Sequence, residues 1–150
     1  MIFMKILAKN NKANFDYEIL EKFEAGVSLL GFEVKTVKAG QVSLDNAFAN
    51  FYGGDLYLLN ATIPAWQPKN APKDYDSTRS RKLLLRSQEL KYLLGKLGEA
   101  HLSLIPLAFI LQNNKIKIEL GLGRSRHKTD KREAIRKREV RREIDRSLKE

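Results

Sequence analysis

Apolar and polar residues alternate in several segments of the first 120 positions, and this period of two is typical of half-buried β-strands. In the first such segment Phe15, Tyr17 and Ile19 fall on one face, with Asp16 and Glu18 on the other. Strands are predicted over six segments: 15–23, 32–37, 47–52, 56–63, 101–111 and 115–120. The pattern therefore predicts a mainly β chain.

Two turns are expected to join neighbouring strands into hairpins. Gly53-Gly54 separates the third strand from the fourth, and glycine supplies the positive φ angles that tight hairpins need. A polar turn at residues 112–114 separates the last two strands. Hairpins make consecutive strands antiparallel neighbours, so the sheet is predicted to be antiparallel.

Helices are predicted only in the second half of the body. Ser77 or Thr78 is expected to cap a short helix over 79–85, and Ser87 a second helix over 88–99. In the second helix, leucines recur at three- and four-residue spacing. This spacing gives one apolar face that can pack onto the sheet.

About six short strands, with two or three flanking helices, predict a closed antiparallel barrel of the oligonucleotide-binding type. Closure removes the exposed edges that such a sheet would otherwise have. A β-sandwich would need more strands than the pattern provides. We expect the barrel domain to span residues 1–123 and a basic tail to span residues 124–150.

The C-terminal thirty residues differ sharply from the body in charge. They hold twelve Lys/Arg against six Asp/Glu, and so carry +6 of the net +10. Val140, Ile144 and Leu148 recur every four residues, but a stripe this narrow does not stabilise a helix alone. The tail is therefore expected to be disordered when free and helical when a polyanion neutralises it. A nucleic acid is the expected partner, although charged tails of this kind also serve solubility alone.

Several kinds of chemistry lack the residues they need. No cysteine is present, which excludes disulfides, a thiolate nucleophile and Cys-bound metals. His101 and His127 are the only histidines, and no glycine-rich run has the spacing of a phosphate-binding loop. The chain is thus predicted to be no enzyme and to hold no cofactor or metal. It shows no convincing signal peptide or membrane-length apolar run, so a cytoplasmic protein without membrane contact is expected.

One basic cluster in the body is a candidate phosphate site. Arg79, Arg81 and Lys82 precede three leucines at a predicted helix start, and Arg86 follows them. Charge and free backbone N–H groups together bind phosphates at such a place. The alternative is that Arg79 and Arg81 pair with Asp74 and Asp76. The residues alone leave both interpretations open.

Two further residues were candidates on position alone. Glu24 falls where a strand is predicted to give way to a bend, a place suited to recognition but also to an ordinary surface acid. Lys117 lies near the middle of the last predicted strand, on its polar side. It would therefore face solvent or a bound RNA.

Four colinear segments carry a family resemblance: FEAGVSLLGFEVKTVKAGQVSL at 23–44, TRSRKLLLRSQEL at 78–90, LIPLAFILQNNKIKIELGLGR at 104–124 and TDKRE at 129–133. On these residues the chain resembles the small protein B family, the partners of transfer-messenger RNA (tmRNA). The likeness spans about residues 10–135. Ser125-Arg126-His127 departs from the Gly-Lys-Lys of many relatives, and Thr129 stands where they often have Tyr or His.

The resemblance implies an oligonucleotide-binding-type barrel that grips the tRNA-like domain of tmRNA, and a tail that enters the ribosomal decoding centre and the empty mRNA path. It also implies which residues make contact. The implied RNA-binding residues are Asn10, Lys12, Glu24, Leu84, Arg86 and Lys117. The implied ribosome-contacting tail residues are Arg124, Arg126, Asp130, Lys131 and Arg132.

The function that follows from the resemblance is a non-catalytic adaptor, a monomer on its RNA, that delivers tmRNA to stalled ribosomes in trans-translation. Composition alone also fits a structural ribosomal protein whose tail threads ribosomal RNA. An RNA-processing enzyme is a third interpretation, which lacks a nucleophile, metal ligands and a base.

Overall fold

The computed structural model describes residues 4–67, 69, 71–99, 101–126, 138 and 141–142. Its named elements, in chain order, are β1 (Met4–Lys9), α1 (Ala13–Asp16), β2 (Tyr17–Val27), α2 (Gly31–Lys38), β3 (Phe48–Tyr52), β4 (Asp55–Leu59), β5 (Arg81–Leu84), α3 (Ser87–Leu97), β6 (Leu102–Gln112) and β7 (Lys115–Ser125). The described chain is mainly β, as the alternating pattern predicts. None of these helices is long and apolar enough to cross a membrane.

The seven strands form one antiparallel sheet in the order β1-β6-β3-β4-β5-β2-β7, and β6 also pairs with β7. The strand β6 therefore hydrogen-bonds with β1, β3 and β7. One of the two longest pairings joins segments distant in sequence, with Glu24 in β2 opposite Glu119 in β7. The sheet order thus brings the start and the end of the described body together.

Both predicted hairpin turns are present. Gly53 and Gly54 have φ angles of 58° and 87° between β3 and β4. Asn113 and Asn114 have φ angles of 51° and 63° between β6 and β7. Two successive residues with positive φ are the geometry that suits a two-residue hairpin, because its twist matches that of the strands.

The strand β6 accommodates Pro106 at an irregularity in its pairing. Pro106 faces Leu120 and Ala108 faces Glu119, so Leu107 is the extra residue of a bulge. Bulges tolerate proline because the regular ladder is interrupted there. The Leu107 side chain lies over Gly121, where a Cβ would be 3.1 Å from Leu107 Cδ1 and from Ile19. Gly121 thus makes room for side chains from the two neighbouring strands.

The core is formed by the inward residues of the strands, closed by one face of each longer helix. Val37 of α2 and Leu93 of α3 are fully buried. Fully buried strand residues around them include Leu58, Phe109, Ile118 and Leu120. The apolar face predicted for the second helix is confirmed for Leu90, Leu93 and Leu97, which pack on the core, whereas Leu94 is exposed.

The prediction of a strand over 32–37 is wrong, because this segment belongs to the helix α2. Glu33, Thr36 and Val37 are buried, a three- and four-residue spacing that marks one helical face. The Glu33 carboxylate accepts the Leu30 N–H at 2.8 Å and so satisfies a free donor at the helix start. Gly40, with a φ of 73°, follows the helix end.

The prediction of a helix over 79–85, capped by Ser77 or Thr78, is also wrong. Arg81–Leu84 form the strand β5, which pairs with β4 and β2. The apolar N-terminal segment Met4–Lys9, for which no strand was predicted, is β1. The described sheet has seven strands where about six were expected.

Candidate nucleic-acid interface

Three of the residues implied by the resemblance lie on one outward face of β5, β2 and β7. Leu84 and Lys117 are the register partners of Gly26 on its two sides. Glu24 is two residues before Gly26 and therefore points to the same side of the sheet. Ala25, between them, is buried. The neighbouring strands thus present an apolar, an acidic and a basic side chain together.

The Leu84 side chain is exposed on this face. It is 54% exposed, and a Cβ at Gly26 would lie 3.3 Å from the Leu84 Cβ. The missing side chain at position 26 therefore leaves room for Leu84 to lean over β2. An exposed leucine in such a place offers an apolar contact to a partner.

Glu24 lies in the middle of β2, not at a strand end as predicted. Its cross-strand partner is Glu119, and two acids directly opposite each other repel. Lys22 Nζ lies 3.7 Å from Glu119 Oε1 and offsets part of this repulsion. The Glu24 carboxylate is exposed and forms no salt bridge with any other described residue. A partner that donates hydrogen bonds to Glu24 would be favoured here.

Arg86 stands at the start of α3, two residues after Leu84. It is exposed, and its backbone N–H donates to Glu89 Oε1 at 3.4 Å. Arg86 is the N-cap of α3, and Ser87 is the first helical residue. The prediction that Ser87 caps this helix is therefore off by one position. We refer to Glu24, Leu84, Arg86 and Lys117 as the β5–β2–β7 surface.

Tyr92 links α3 to β2 near this surface through a hydrogen bond and an aromatic contact. Its hydroxyl lies 2.7 Å from both carboxylate oxygens of Glu21, and its ring centroid is 6.1 Å from that of Phe23. The hydrogen bond to Glu21 raises the pKa of Tyr92 above its ordinary value. The start of α3, with Arg86, is thereby kept beside β2.

Asn10 and Lys12 lie apart from the β5–β2–β7 surface. The Asn10 side chain donates to Pro106 O at 2.9 Å, and its backbone N–H donates to Leu107 O at 2.8 Å. Both residues line a cleft of about 430 Å³, together with Phe48 and Asn50 of the β3 segment. The cleft also includes Tyr17, the first residue of β2, whereas Gly26 lies at the other end of that strand. Asn10 is therefore near the opposite end of β2 from the three residues above.

The implied tail residues divide into two groups. Arg124 lies within β7, exposed, opposite Glu18 and Leu102. The Arg126 N–H donates to Asp16 O at 2.9 Å, at the edge of the same cleft. The other implied residues, Asp130, Lys131 and Arg132, lie outside the described residues.

The basic cluster at Arg79 and Arg81 has a different role from either predicted one. Both side chains bind Glu33 of α2, and within the described part of the chain neither forms an ion pair with Asp74 or Asp76. Arg81 Nε and Nη2 donate to Glu33 Oε2 at 3.1 and 2.6 Å. Arg79 donates to both oxygens of the same carboxylate. Glu33 and Arg81 are fully buried.

Tyr75 and backbone carbonyls complete this buried network. Arg81 also donates to Ala61 O at 2.8 Å and to Ser77 O at 3.0 Å. The Tyr75 hydroxyl lies 2.7 Å from Glu33 Oε2 and from Ile63 O. Burial and the hydrogen bond to Glu33 raise the pKa of Tyr75 to about 12. The network joins α2, β5 and the loop between β4 and β5.

Glu33 stays ionised in this environment. Burial alone would raise its pKa, but hydrogen bonds from Arg79, the Leu30 N–H, Tyr75 and Arg81 outweigh that effect and lower the pKa to about 2. The sequence gives no local sign of this, because Arg79 and Arg81 are 46 and 48 residues from Glu33. The one available signal was the pair Arg79 and Arg81 itself, because an arginine buried in a strand needs an acidic partner.

The fold and the β5–β2–β7 surface define a class of protein: a small, mainly antiparallel β protein that presents charged and apolar side chains on the outside of adjacent strands. Sheet proteins that bind nucleic acids use surfaces of this kind. The family model for SmpB protein matches residues 7–150. The chain belongs to the SmpB family.

Individual relatives agree with this assignment over almost the whole chain. The SsrA-binding protein of Thermosynechococcus vestitus is 41% identical over 98% of this chain and 97% of its own. The SsrA-binding proteins of Gloeobacter violaceus and Carboxydothermus hydrogenoformans are 45% and 43% identical, each over 97% of this chain and over 95% and 97% of their own.

A solved structure gives the same result in three dimensions. The similar chain belongs to a structure described as "tmRNA-SmpB: a journey to the center of the bacterial ribosome". The TM-score is 0.67 at 42% sequence identity, over 85% of this chain and 93% of that one. At this identity the likeness covers sequence as well as fold.

Proposed function

We propose that this protein binds transfer-messenger RNA and delivers it to stalled ribosomes in trans-translation, as an adaptor that performs no catalysis. The observation that carries the proposal is family membership over residues 7–150, with relatives named for binding SsrA. It acts in the cytoplasm, where its RNA and ribosomes are, and as a monomer on the RNA.

The body that grips the RNA is a closed barrel of the oligonucleotide-binding type. The pairing of β6 with both β3 and β7 supports closure, because it links the two ends of the series β3-β4-β5-β2-β7. In that arrangement β1 lies outside the ring, on β6. Closure leaves the ring strands without free edges.

Within this proposal the β5–β2–β7 surface is the recognition face. Glu24 accepts hydrogen bonds from unpaired bases or ribose hydroxyls, Leu84 packs on a base or sugar, and Arg86 and Lys117 bind phosphates. Asn10 and Lys12 contact the RNA at the separate cleft. This division fits RNA that is recognised by shape at two places.

The second part of the proposal concerns the tail from residue 124 onward. Arg124, Arg126, Asp130, Lys131 and Arg132 contact the ribosome at the decoding centre and along the empty mRNA path. The position of Arg124 at the end of β7 supports this, since the chain leaves the sheet there, away from Gly26 and Leu84. The body then selects the RNA while the tail engages the ribosome.

Gel-shift titration with tmRNA tests the recognition face. Glu24→Ala and Arg86→Ala each remove an exposed contact, and we expect each to weaken binding by about 1–3 kcal/mol, or roughly five- to a hundredfold. Lys73→Ala is the control, because Lys73 is an exposed cation in the loop before β5, outside that surface. Unchanged affinity in both variants would remove the surface from the RNA site.

Truncation after Arg126 tests the tail separately. This end point keeps the whole of β7 and the Arg126–Asp16 backbone hydrogen bond, so the body is left intact. We expect the truncated protein to bind tmRNA normally and to support no peptide tagging on stalled ribosomes. Full tagging would contradict the role of the tail. Retention on salt-washed ribosomal subunits without tmRNA would instead favour a structural ribosomal protein.

A further inference from the structure

The strand β5 has a sequence that does not specify its own register. It is four residues long, reads Arg81-Lys82-Leu83-Leu84, and is followed by another leucine. A slip of one residue would exchange Arg81 for Lys82 and Leu83 for Leu84 at the inward positions. Both exchanges replace a residue by one of the same kind, so the apolar pattern gives no preference.

The structure nevertheless places these residues in one definite register. Arg81 and Leu83 point into the protein, with Leu83 only 2% exposed, whereas Leu84 points out over Gly26. Lys82 is half-exposed and lies 3.7 Å from Asp55. Something other than hydrophobic burial must therefore set which leucine faces the solvent.

The buried network around Glu33 supplies this preference. The Arg81 guanidinium donates at once to Glu33, Ala61 O, Ser77 O and the Tyr75 hydroxyl. A planar fork of five N–H groups fits this set of acceptors, whereas an ammonium group has three donors around one point. In the slipped register Lys82 would replace Arg81 and leave some of these buried acceptors without a donor, which is costly.

We propose that Glu33 and Arg81 are positioning residues for RNA recognition, because their buried ion pair sets the register of β5 and so keeps Leu84 exposed over Gly26 in the β5–β2–β7 surface. This inference rests on the proposed function of that surface. Buried ionic or polar groups that specify register are an established device in other folds. Here the Glu33–Arg81 ion pair joins the FEVK segment at 32–35 to the RSRKLLL segment at 79–85, which is distant in sequence.

Thiol reactivity measures the register directly, because the chain has no cysteine of its own. Leu83→Cys and Leu84→Cys are made singly, and their rates of reaction with a maleimide are compared. In the otherwise unchanged protein we expect Cys at 84 to react at least about tenfold faster than Cys at 83, since access controls the rate.

The decisive variant exchanges the two cations, Arg81→Lys with Lys82→Arg. The guanidinium can then reach Glu33 only if the strand slips, so we expect the ratio of the two rates to invert. Arg81→Lys alone places a lysine at both positions, so the two registers of β5 become equivalent. The ratio of the two maleimide rates should then move towards one. This variant provides the test if the exchanged variant does not fold. An unchanged ratio in either folded variant would overturn the proposal.

A core substitution on a strand that does not pair with β5 controls for general loosening. Phe109→Leu alters a fully buried residue of β6 and should lower stability without changing the ratio. If Phe109→Leu also equalised the rates, the change would reflect instability and the proposal would fail.

Affinity for tmRNA separates this inference from the proposed function. We expect Arg81→Lys to weaken binding about as much as Leu84→Ala, and the two together to weaken it no further, because both act through Leu84. If the thiol rates shift while affinity does not, Arg81 sets the register but does not position an RNA contact. If Leu84→Ala alone leaves affinity unchanged, the proposed recognition face is wrong, whatever the thiol rates show.

Discussion

Glu33 receives more hydrogen bonds than any other carboxylate for which contacts are recorded in the described residues. Two arginines, a tyrosine and a backbone N–H all converge on it. A buried ion pair is worth little compared with a well-packed apolar pair, but breaking it by removing one partner is costly. Single substitutions at Glu33 should therefore be strongly destabilising.

Acid titration tests this at residue scale. The pKa of Glu33 is about 2 in the folded protein and close to 4.5 in the unfolded chain. Because the folded pKa is the lower one, the unfolded state takes up the proton first on acidification. The stabilisation is present above about pH 4.5 and is lost as the pH falls towards 2, with a size on the order of 3 kcal/mol.

Urea unfolding of the natural protein and Glu33→Gln at pH 7, 4 and 2.5 measures this directly. We expect Glu33→Gln to lower the free energy of unfolding by about 3–5 kcal/mol at pH 7. The difference should shrink by most of 3 kcal/mol as the pH approaches 2. Asp74→Asn is the matched control at an exposed acid, for which only a small difference is expected. A gap for Glu33→Gln that stayed constant with pH would contradict the assignment.

At the scale of elements, sequence patterns predicted most strands and the longer helix but exchanged two segments. Phe32, Val34 and Val37 favour a strand by residue type, yet tertiary contacts of Glu33 and Val37 select a helix. Leu83, Leu84 and Leu85 favour a helix, yet β4 and β2 each offer a strand edge. In both cases a long-range partner decides, and local propensity carries no information about it.

The candidate RNA-binding site also depends on long-range pairing that local sequence patterns do not reveal. The family resemblance implied the residues Glu24, Leu84, Arg86 and Lys117, but nothing in their spacing indicates that they share one face. Their meeting depends on Gly26 pairing with both Leu84 and Lys117, across about ninety residues of intervening sequence. The resemblance also placed Asn10 and Lys12 in the same group, whereas the fold sets them apart from the β5–β2–β7 surface.

Two glycines in regular elements provide a prediction at this scale. Gly95 is in the interior of α3 with no atom within 4 Å of a Cβ placed there, so Gly95→Ala should raise stability by about 0.5–1 kcal/mol. Gly123 in β7 is the contrast, because its Cβ would lie 2.8 Å from Glu18 O. Gly123→Ala should lower stability by about 1–3 kcal/mol. Thermal unfolding of both variants gives the comparison, and equal shifts of the same sign would contradict it.

At the scale of the whole molecule, the charge of +10 is spread unevenly. Part of the basic charge in the body is internal: Arg81 is fully buried against Glu33 and cannot release counterions from an RNA, and the partly buried Arg79 pairs with the same carboxylate. The cations that remain on the β5–β2–β7 surface are therefore few. The net charge overstates how strongly the body alone should respond to salt.

The dependence of tmRNA affinity on salt tests this count. Each cation that neutralises one phosphate contributes about 0.7–0.9 to the slope of log affinity against log salt. We expect Lys117→Ala to reduce the slope by about that amount. Lys73→Ala, outside the β5–β2–β7 surface, should leave it unchanged. A slope unaltered by Lys117→Ala would mean that this lysine binds no phosphate.

The sheet order has a consequence for how the chain reaches its structure. The hairpins β3–β4 and β6–β7 are local and can form early, but β1 and most of β2 must wait for partners about a hundred residues later in the chain. Closing such long loops is slow compared with local pairing. During synthesis, β1 and the part of β2 that pairs with β7 therefore stay unpaired until β6 and β7 have emerged. Leu7 and Ala8 of β1, which pack against the core in the folded protein, are exposed during this period, when a chaperone would matter most.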